Sequence, residues 1–242
     1  MSGHSKWNNI KRKKEKTDAA KAKVFTKIGR EISVIVKTGG ANPNENSKLK
    51  DAIAKAKAAN VPNDNIERII KKAAGDGEAN NYEELTYEGY GPSGVAVVVE
   101  ALTDNRNRTA SDVRHYFDKY GGNMGAAGCV SWSFDKKGVI VIDNEDEDLD
   151  EEAVFESALE AGADDLEAEE GIFTVYTQPD DVAAVAEALS AKYHLLSAQV
   201  EMVPQNYITL TDEGDIKNMS KMLEMFDDNE DVQNVWHNWE NE

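Results

Sequence analysis

The chain has 242 residues, 40% of them hydrophobic and 30% charged, with 27 Lys and Arg against 46 Asp and Glu for a net charge of −19. That composition is globular rather than disordered or fibrous, and the length suits one large domain or two or three small ones. A single cysteine, Cys129, excludes an intrachain disulfide framework and a cysteine-based zinc site, and no apolar run approaches the ~18 residues of a membrane span.

Residues 1–16 have no apolar periodicity and read as a mobile basic arm; with no apolar stretch behind MSGHSKWNNIKRKK, the start does not read as a secretory signal. From Thr17 a helix is expected, with Ala20, Phe25, Ile28, Ile32 and Ile35 near helical spacing and Gly39-Gly40 as its stop. A second helix is expected over 47–59 (Leu49, Ile53, Ala56 inward) and a third over 64–74 (Ile66, Ile69, Ile70, Ala73 inward), joined by the turn Asn60-Val61-Pro62-Asn63. These make a small all-α domain with lysines outside, and Gly75-Asp76-Gly77 reads as a linker.

The pattern then shifts to period two. Glu84–Tyr90 and Val95–Leu102 predict two strands joined by a glycine turn, followed by a helix over 109–120 with Val113, Tyr116 and Phe117 inward, a loop at 121–128 and a strand at Cys129–Phe134. Residues 135–203 then read as strand (138–142), helix (150–161), two strands (164–169, 171–177), helix (180–192) and strand (196–203). That βαββαβ order is the ferredoxin-like arrangement. A strand (207–211), helix (215–227) and strand (231–237) remain, too few for a core of their own. The expected fold is therefore multidomain α and α+β. A basic helical domain with its arm (1–78) precedes a discontinuous α+β domain (79–134 plus 204–242), into which the ferredoxin-like domain (135–203) is inserted. The elements at 207–237 are expected to complete the sheet begun at 79–134.

The net charge conceals two opposite halves. Residues 1–75 hold 18 basic and 7 acidic side chains; residues 76–242 hold 9 and 39. Binding to phosphates follows the local field rather than the total, so a basic segment on an acidic body points to a localised nucleic-acid or ribosome contact. The acidic body would restrict how the protein docks.

Other motifs carry less chemistry. Gly89-Tyr90-Gly91-Pro92-Ser93-Gly94 fits G-x-G-x-x-G, but a dinucleotide site needs a helix after the glycines and the strand VAVVVEAL follows instead. Asp104–His115 places Arg106 and Arg108 before a helix and Arg114 within it, and arginine forks suit phosphate. Asp104 and Asp112 could equally neutralise them locally, and Thr109 with Asp112 has capping-box-like spacing. Asp143–Glu152, with eight acids in ten residues, lacks the glycine of a calcium loop. His4, His115, His194 and His237 form no metal pattern, and no serine lies in a nucleophile elbow. Trp236 and Trp239 read as packing residues. An enzyme is unsupported: no catalytic residue, metal site or cofactor is expected.

GHSKWNNIKRKK (3–14), FTKIGREI (25–32), YEGYGPSG (87–94), DNRNRTASDVRH (104–115), GGNMG (121–125) and VSWSFDKKGVI (130–140) closely resemble the YebC family, including its PmpR-type regulators, over essentially the whole chain. The resemblance implies three domains, with the ferredoxin-like one inserted, and a cytoplasmic, DNA-binding transcriptional regulator. Organellar relatives and one bacterial branch resemble translation factors acting on the ribosome. Gly3, His4, Ser5, Lys6 and Trp7 match the family's opening, whereas Asn8 stands where a small residue is frequent.

The expected function is thus DNA-binding transcription regulation. The alternative is a ribosome-associated translation factor using the same basic surface on ribosomal RNA, and a third class is a protein-interaction module using the acidic domains. Neither a membrane nor a small-molecule substrate is expected. The candidate nucleic-acid contacts are Lys6, Lys11, Arg12, Lys13, Lys14 and Lys16 of the arm and Lys21, Lys23, Lys27 and Arg30 of the first helix. Lys55, Lys57, Arg68, Lys71 and Lys72 extend them on the next two helices, and Arg106, Arg108 and Arg114 add to them in the acidic body. Lysines dominate, which favours backbone contact over base readout.

Overall fold

Helical periodicity organises the first part of the chain. The computed structural model describes residues 18–75, 82–145, 148–169 and 171–240; the basic arm lies outside them. Helices α1 (Asp18–Gly39), α2 (Ser47–Ala58) and α3 (Asn63–Ala74) pack around Ile28, Ile32, Val36, Leu49, Ala52, Ala56, Val61, Ile66 and Ala73. Val36 rather than Ile35 takes the deepest place in the last turns of α1, and Ala52 rather than Ile53 does so in α2; the displaced residues pack partly buried at the margin. Buried Asn46 locks the first corner: its Oδ1 accepts from Leu49 N at 3.2 Å, and its Nδ2 donates to Gly40 O at 2.9 Å and Ile35 O at 3.2 Å. One side chain thus caps α2 and satisfies carbonyls at the end of α1.

The chain divides into two compact units. In the first, the described residues from 18 to 131 and residues 210–237 cluster together. Strands β1 (Glu83–Tyr90) and β2 (Ala96–Thr103) form an antiparallel hairpin in register from Glu83↔Thr103 to Tyr90↔Ala96, so the glycine-rich segment between them is a strand-to-strand turn. Helix α4 (Arg106–Lys119) follows. Its cap is Asn105, which accepts from Arg108 N at 3.1 Å, not Thr109 as the capping-box spacing suggested. Thr109 lies a turn further in and is fully buried.

Short β3 (Asn123–Met124) pairs with β1. The strand expected at 129–134 is absent over 129–133, where a bend leads into a short 3-10 helix (Ser131–Ser133), and the next strand starts at Phe134. The cause is buried Glu88, whose carboxylate accepts from Gly128 N at 2.7 Å, Val130 N at 2.9 Å and Ser131 N at 2.8 Å. Backbone donors committed to a side chain are unavailable to a ladder. Burial pushes the Glu88 carboxyl up, but these three N–H groups outweigh it and hold it below the ordinary range.

The end of the chain returns to this unit. Helix α7 (Glu213–Asp228) sets Phe226 edge-on to Phe117 of α4, ring centroids 5.3 Å apart, and β9 (Val232–His237) pairs antiparallel with β2. The resulting sheet order is β3-β1-β2-β9.

The second unit comprises residues 132–209 and the described end at 238–240. Strands β4 (Phe134–Asp143), β5 (Asp165–Glu169), β6 (Ile172–Thr177) and β7 (Leu195–Pro204) alternate with α5 (Glu151–Ala161) and α6 (Val182–Ser190) in βαββαβ order. The antiparallel sheet runs β5-β6-β4-β7. Ile140, Ile142, Phe173 and Val175 pack with Val154 and Ala158 of α5 and Val185 and Leu189 of α6. Val139, Val141, Ile172, Tyr176 and Val203 form a second cluster, as alternation along strands requires. The strand expected at 207–211 shrinks to β8 (Ile208–Thr209). It pairs parallel with β10 (Trp239–Glu240) and not with the sheet of the first unit. Trp239 is buried there, as a packing residue should be.

Candidate nucleic-acid interface

The basic residues of the first unit fall into two groups: those already bound to carboxylates and those that are not. Asp231, just before β9, is the centre of the first group. It is 4% exposed. Its Oδ2 accepts from Arg108 Nη2 at 2.7 Å, Thr109 Oγ1 at 2.8 Å and Thr103 Oγ1 at 3.2 Å, and its Oδ1 accepts from Arg30 Nη1. Arg30 also donates to the Glu230 carboxylate at 3.1 Å and carbonyl at 3.0 Å, and its guanidinium lies over the Tyr82 ring. Burial would raise the Asp231 carboxyl, but the bonds from Arg108, Thr109 and Arg30 dominate and hold it below its ordinary value. In turn the Asp231 and Asp104 hydrogen bonds push the Arg108 guanidinium up.

Helical spacing carries this pattern along α1. Lys23, Lys27 and Arg30 share one face, being four and three residues apart. Lys23 Nζ meets Asp228 Oδ1 at 2.6 Å and Lys27 Nζ donates to Asp227 O at 3.1 Å. The face read from sequence as phosphate-directed is here seated on the acidic connection 227–231. Lys55 is paired with Glu31 at 2.9 Å.

The second group is open. Lys57 of α2 and Arg68, Lys71 and Lys72 of α3 are exposed and make no ion pair among the described residues; Arg68 donates to its neighbour Asn65 at 3.1 Å. Lys48 and Lys50 on α2 are exposed as well. Sequence reasoning missed both, although Lys50 shares a stripe with Lys57 seven residues on. Arg106 and Arg114 are exposed on α4 and make no ion pair among the described residues. Of the local acids expected to neutralise these arginines, Asp104 pairs with Arg108 at 3.0 Å, whereas Asp112 makes no ion pair among the described residues. The main acid, Asp231, has no local signal because it is 123 residues from Arg108. Lys6, Lys11, Arg12, Lys13, Lys14 and Lys16 lie outside the described residues, and Lys21 is placed only as a backbone position on α1.

An open polar cleft of about 280 Å³ is lined by Arg30, Tyr82, Asp104, Arg108, Asp112, Asn229, Glu230 and Asp231. Four carboxylates against two guanidiniums make it unfavourable for an anion. Burial and the neighbouring Glu88 charge push the Cys129 thiol up, away from the thiolate a nucleophile would need. No described helix is long and apolar enough to cross a membrane.

Comparison with known proteins adds a family. Residues 5–76 match the model of the TACO1/YebC protein N-terminal domain and residues 82–239 that of the TACO1/YebC second and third domain. A probable transcriptional regulatory protein of Acetivibrio thermocellus is 59% identical over 240 residues, covering 99% of both chains. One of Lachnoclostridium phytofermentans is 56% identical over 241 residues, covering 99% of this chain and all of that one. The crystal structure of a conserved hypothetical protein from Aquifex aeolicus superposes with a TM-score of 0.83 at 44% identity, covering 92% of this chain and 91% of that one.

Proposed function

Because the chain belongs to the TACO1/YebC family, we propose that it is a transcriptional regulatory protein, as its relatives are named. It acts by binding DNA rather than by catalysis, in the cytoplasm. The observation that carries the reading is the segregated charge: Lys57, Arg68, Lys71 and Lys72 stand without an ion pair among the described residues, on the same helical segment that the basic arm precedes. Three parts divide the work. The helical domain with its arm supplies phosphate contacts, the discontinuous α+β domain anchors it, and the inserted ferredoxin-like domain adds an acidic surface that restricts docking by repulsion.

Phosphate-directed lysines give affinity without sequence information, so selectivity on naked duplex is expected near the low end of the ~10³–10⁷ range. Competition of labelled protein between a candidate promoter, random duplex and purified ribosomes at physiological salt tests the reading. Preference for the promoter with no ribosome association supports transcription control. Saturable ribosome binding with flat DNA preference overturns it in favour of translation.

A further inference from the structure

We propose that the connection Asp227–Asp231 is an internal stand-in for phosphate: it holds Lys23 and Lys27 of α1 until a nucleic-acid backbone displaces it. This inference rests on the nucleic-acid reading above and says which cations of α1 enter the contact and how.

The geometry separates two kinds of bond on one helix face. The Arg30 side chain is 15% exposed and that of its partner Asp231 5%. Asp231 is further tied to Arg108, Thr103 and Thr109, so breaking this buried pair is costly. That end of the face is a fixed anchor. One and two turns away, at Lys27 and Lys23, the bonds are of another kind. Lys23 and Asp228 are 38% and 65% exposed, in the range where an ion pair has little net strength and salt weakens it further. Lys27 donates to the carbonyl of Asp227 in the last turn of α7. That turn has unsatisfied carbonyls and the negative end of the helix dipole.

The Asp228 carboxylate and the end of α7 together offer the α1 lysines what a phosphate backbone would offer: oxygen acceptors carrying negative charge. A lysine ammonium is a flexible point charge that can change partners without a fixed fork geometry. Lys23 and Lys27 can therefore swing to phosphate while Arg30 stays. The exchange costs at least the Lys23–Asp228 surface pair and the hydrogen bond from Lys27 to Asp227 O, and its signature is competition between Asp228 and the nucleic acid for Lys23.

Asp228→Asn removes the competitor. Glu213→Gln removes the same charge from the opposite end of α7, about 22 Å away at 1.5 Å per residue, and controls for the general loss of repulsion. Affinity for random duplex DNA and for purified ribosomes is measured for both variants, for Lys23→Gln, and for each acidic variant combined with Lys23→Gln. We expect Asp228→Asn to bind about two- to fivefold tighter than Glu213→Gln, the scale of one exposed ion pair. In the Lys23→Gln background the two acidic variants should be equal. A gain on duplex assigns the exchange to DNA and a gain on ribosomes alone assigns it to ribosomal RNA; either supports the competition. If the protein binds but Asp228→Asn matches Glu213→Gln on both probes, the inference falls and the nucleic-acid reading stands. Binding by none of the proteins to either probe removes both.

Discussion

Arg108 Nη2 donates a 2.7 Å hydrogen bond to Oδ2 of Asp231, joining the start of α4 to the residue that precedes β9. Because the other oxygen of that carboxylate accepts from Arg30, one buried side chain ties α1, α4 and β9 together. The helical segment and the α+β sheet of the first unit share this electrostatic centre.

Its removal should be costly in an ordered way. Asp231→Ala removes the buried acceptor shared by Arg30, Arg108, Thr103 and Thr109, and a loss on the order of 3 kcal/mol is expected for breaking a buried pair. Arg108→Ala should cost clearly less, because Arg108 is nearly half exposed and water can replace part of what it provides. Urea midpoints of the variants check the order; equal effects of the two substitutions would show that Asp231 is not the centre.

Acid should weaken the first unit through two carboxyls. Asp231 and Glu88 both titrate below their ordinary values when folded, so the unfolded chain takes up those protons at higher pH than the folded one. Each contribution is complete above the unfolded values of about 3.9 and 4.3 and is lost as pH falls through the lower folded values. Melting temperature measured from pH 6 downward should therefore drop most steeply below about pH 4. Glu88→Gln should start lower and fall less steeply, having lost one of the two groups; an unchanged slope would exclude Glu88 as a contributor.

Two glycines should respond differently to alanine. A Cβ on Gly89 would lie 2.5 Å from Asn123 O and 3.0 Å from Met124 Cα, both backbone atoms of β3. Gly89→Ala must push β3 away, at about 1–3 kcal/mol for overpacking. At Gly40, φ is +87° with nothing within 4 Å, so Gly40→Ala should cost only the ~1–2 kcal/mol of left-handed strain. Hydrogen exchange at Met124 should distinguish them, rising in Gly89→Ala and not in Gly40→Ala.

Neutralising the open lysines should change binding without changing stability. For Lys57→Gln, Lys71→Gln and Lys72→Gln combined, the slope of log K against log salt on duplex should flatten by about 0.9 for each phosphate that is no longer neutralised, at an unchanged melting temperature. Arg30→Gln should do the reverse, lowering stability with its effect on the slope secondary. A triple variant with the parent slope would move the interface away from α2 and α3.

Local regularities are legible in the order of residues. Ile28, Ile32 and Leu49 announce buried helix faces, and the apolar runs at 95–102 and 138–142 announce strands, because a side chain's face follows from its spacing along a regular backbone. Where a distant group takes over the backbone, local spacing misleads. Residues 129–133 have strand-like composition, yet the N–H groups of Val130 and Ser131, with that of Gly128, answer to Glu88, some forty residues earlier.

The same division runs through the candidate interface. Residue order dictates that cationic charge concentrates in residues 1–75 and anionic charge beyond, since charge is a property of each residue. Which cations remain available depends on the folded chain: Arg30 meets Asp231 across 201 residues and Lys23 meets Asp228 across 205, while Lys57, Lys71 and Lys72 stay exposed. Ion pairing depends on distance through space and on the water excluded between partners, and neither is written in the order of the chain.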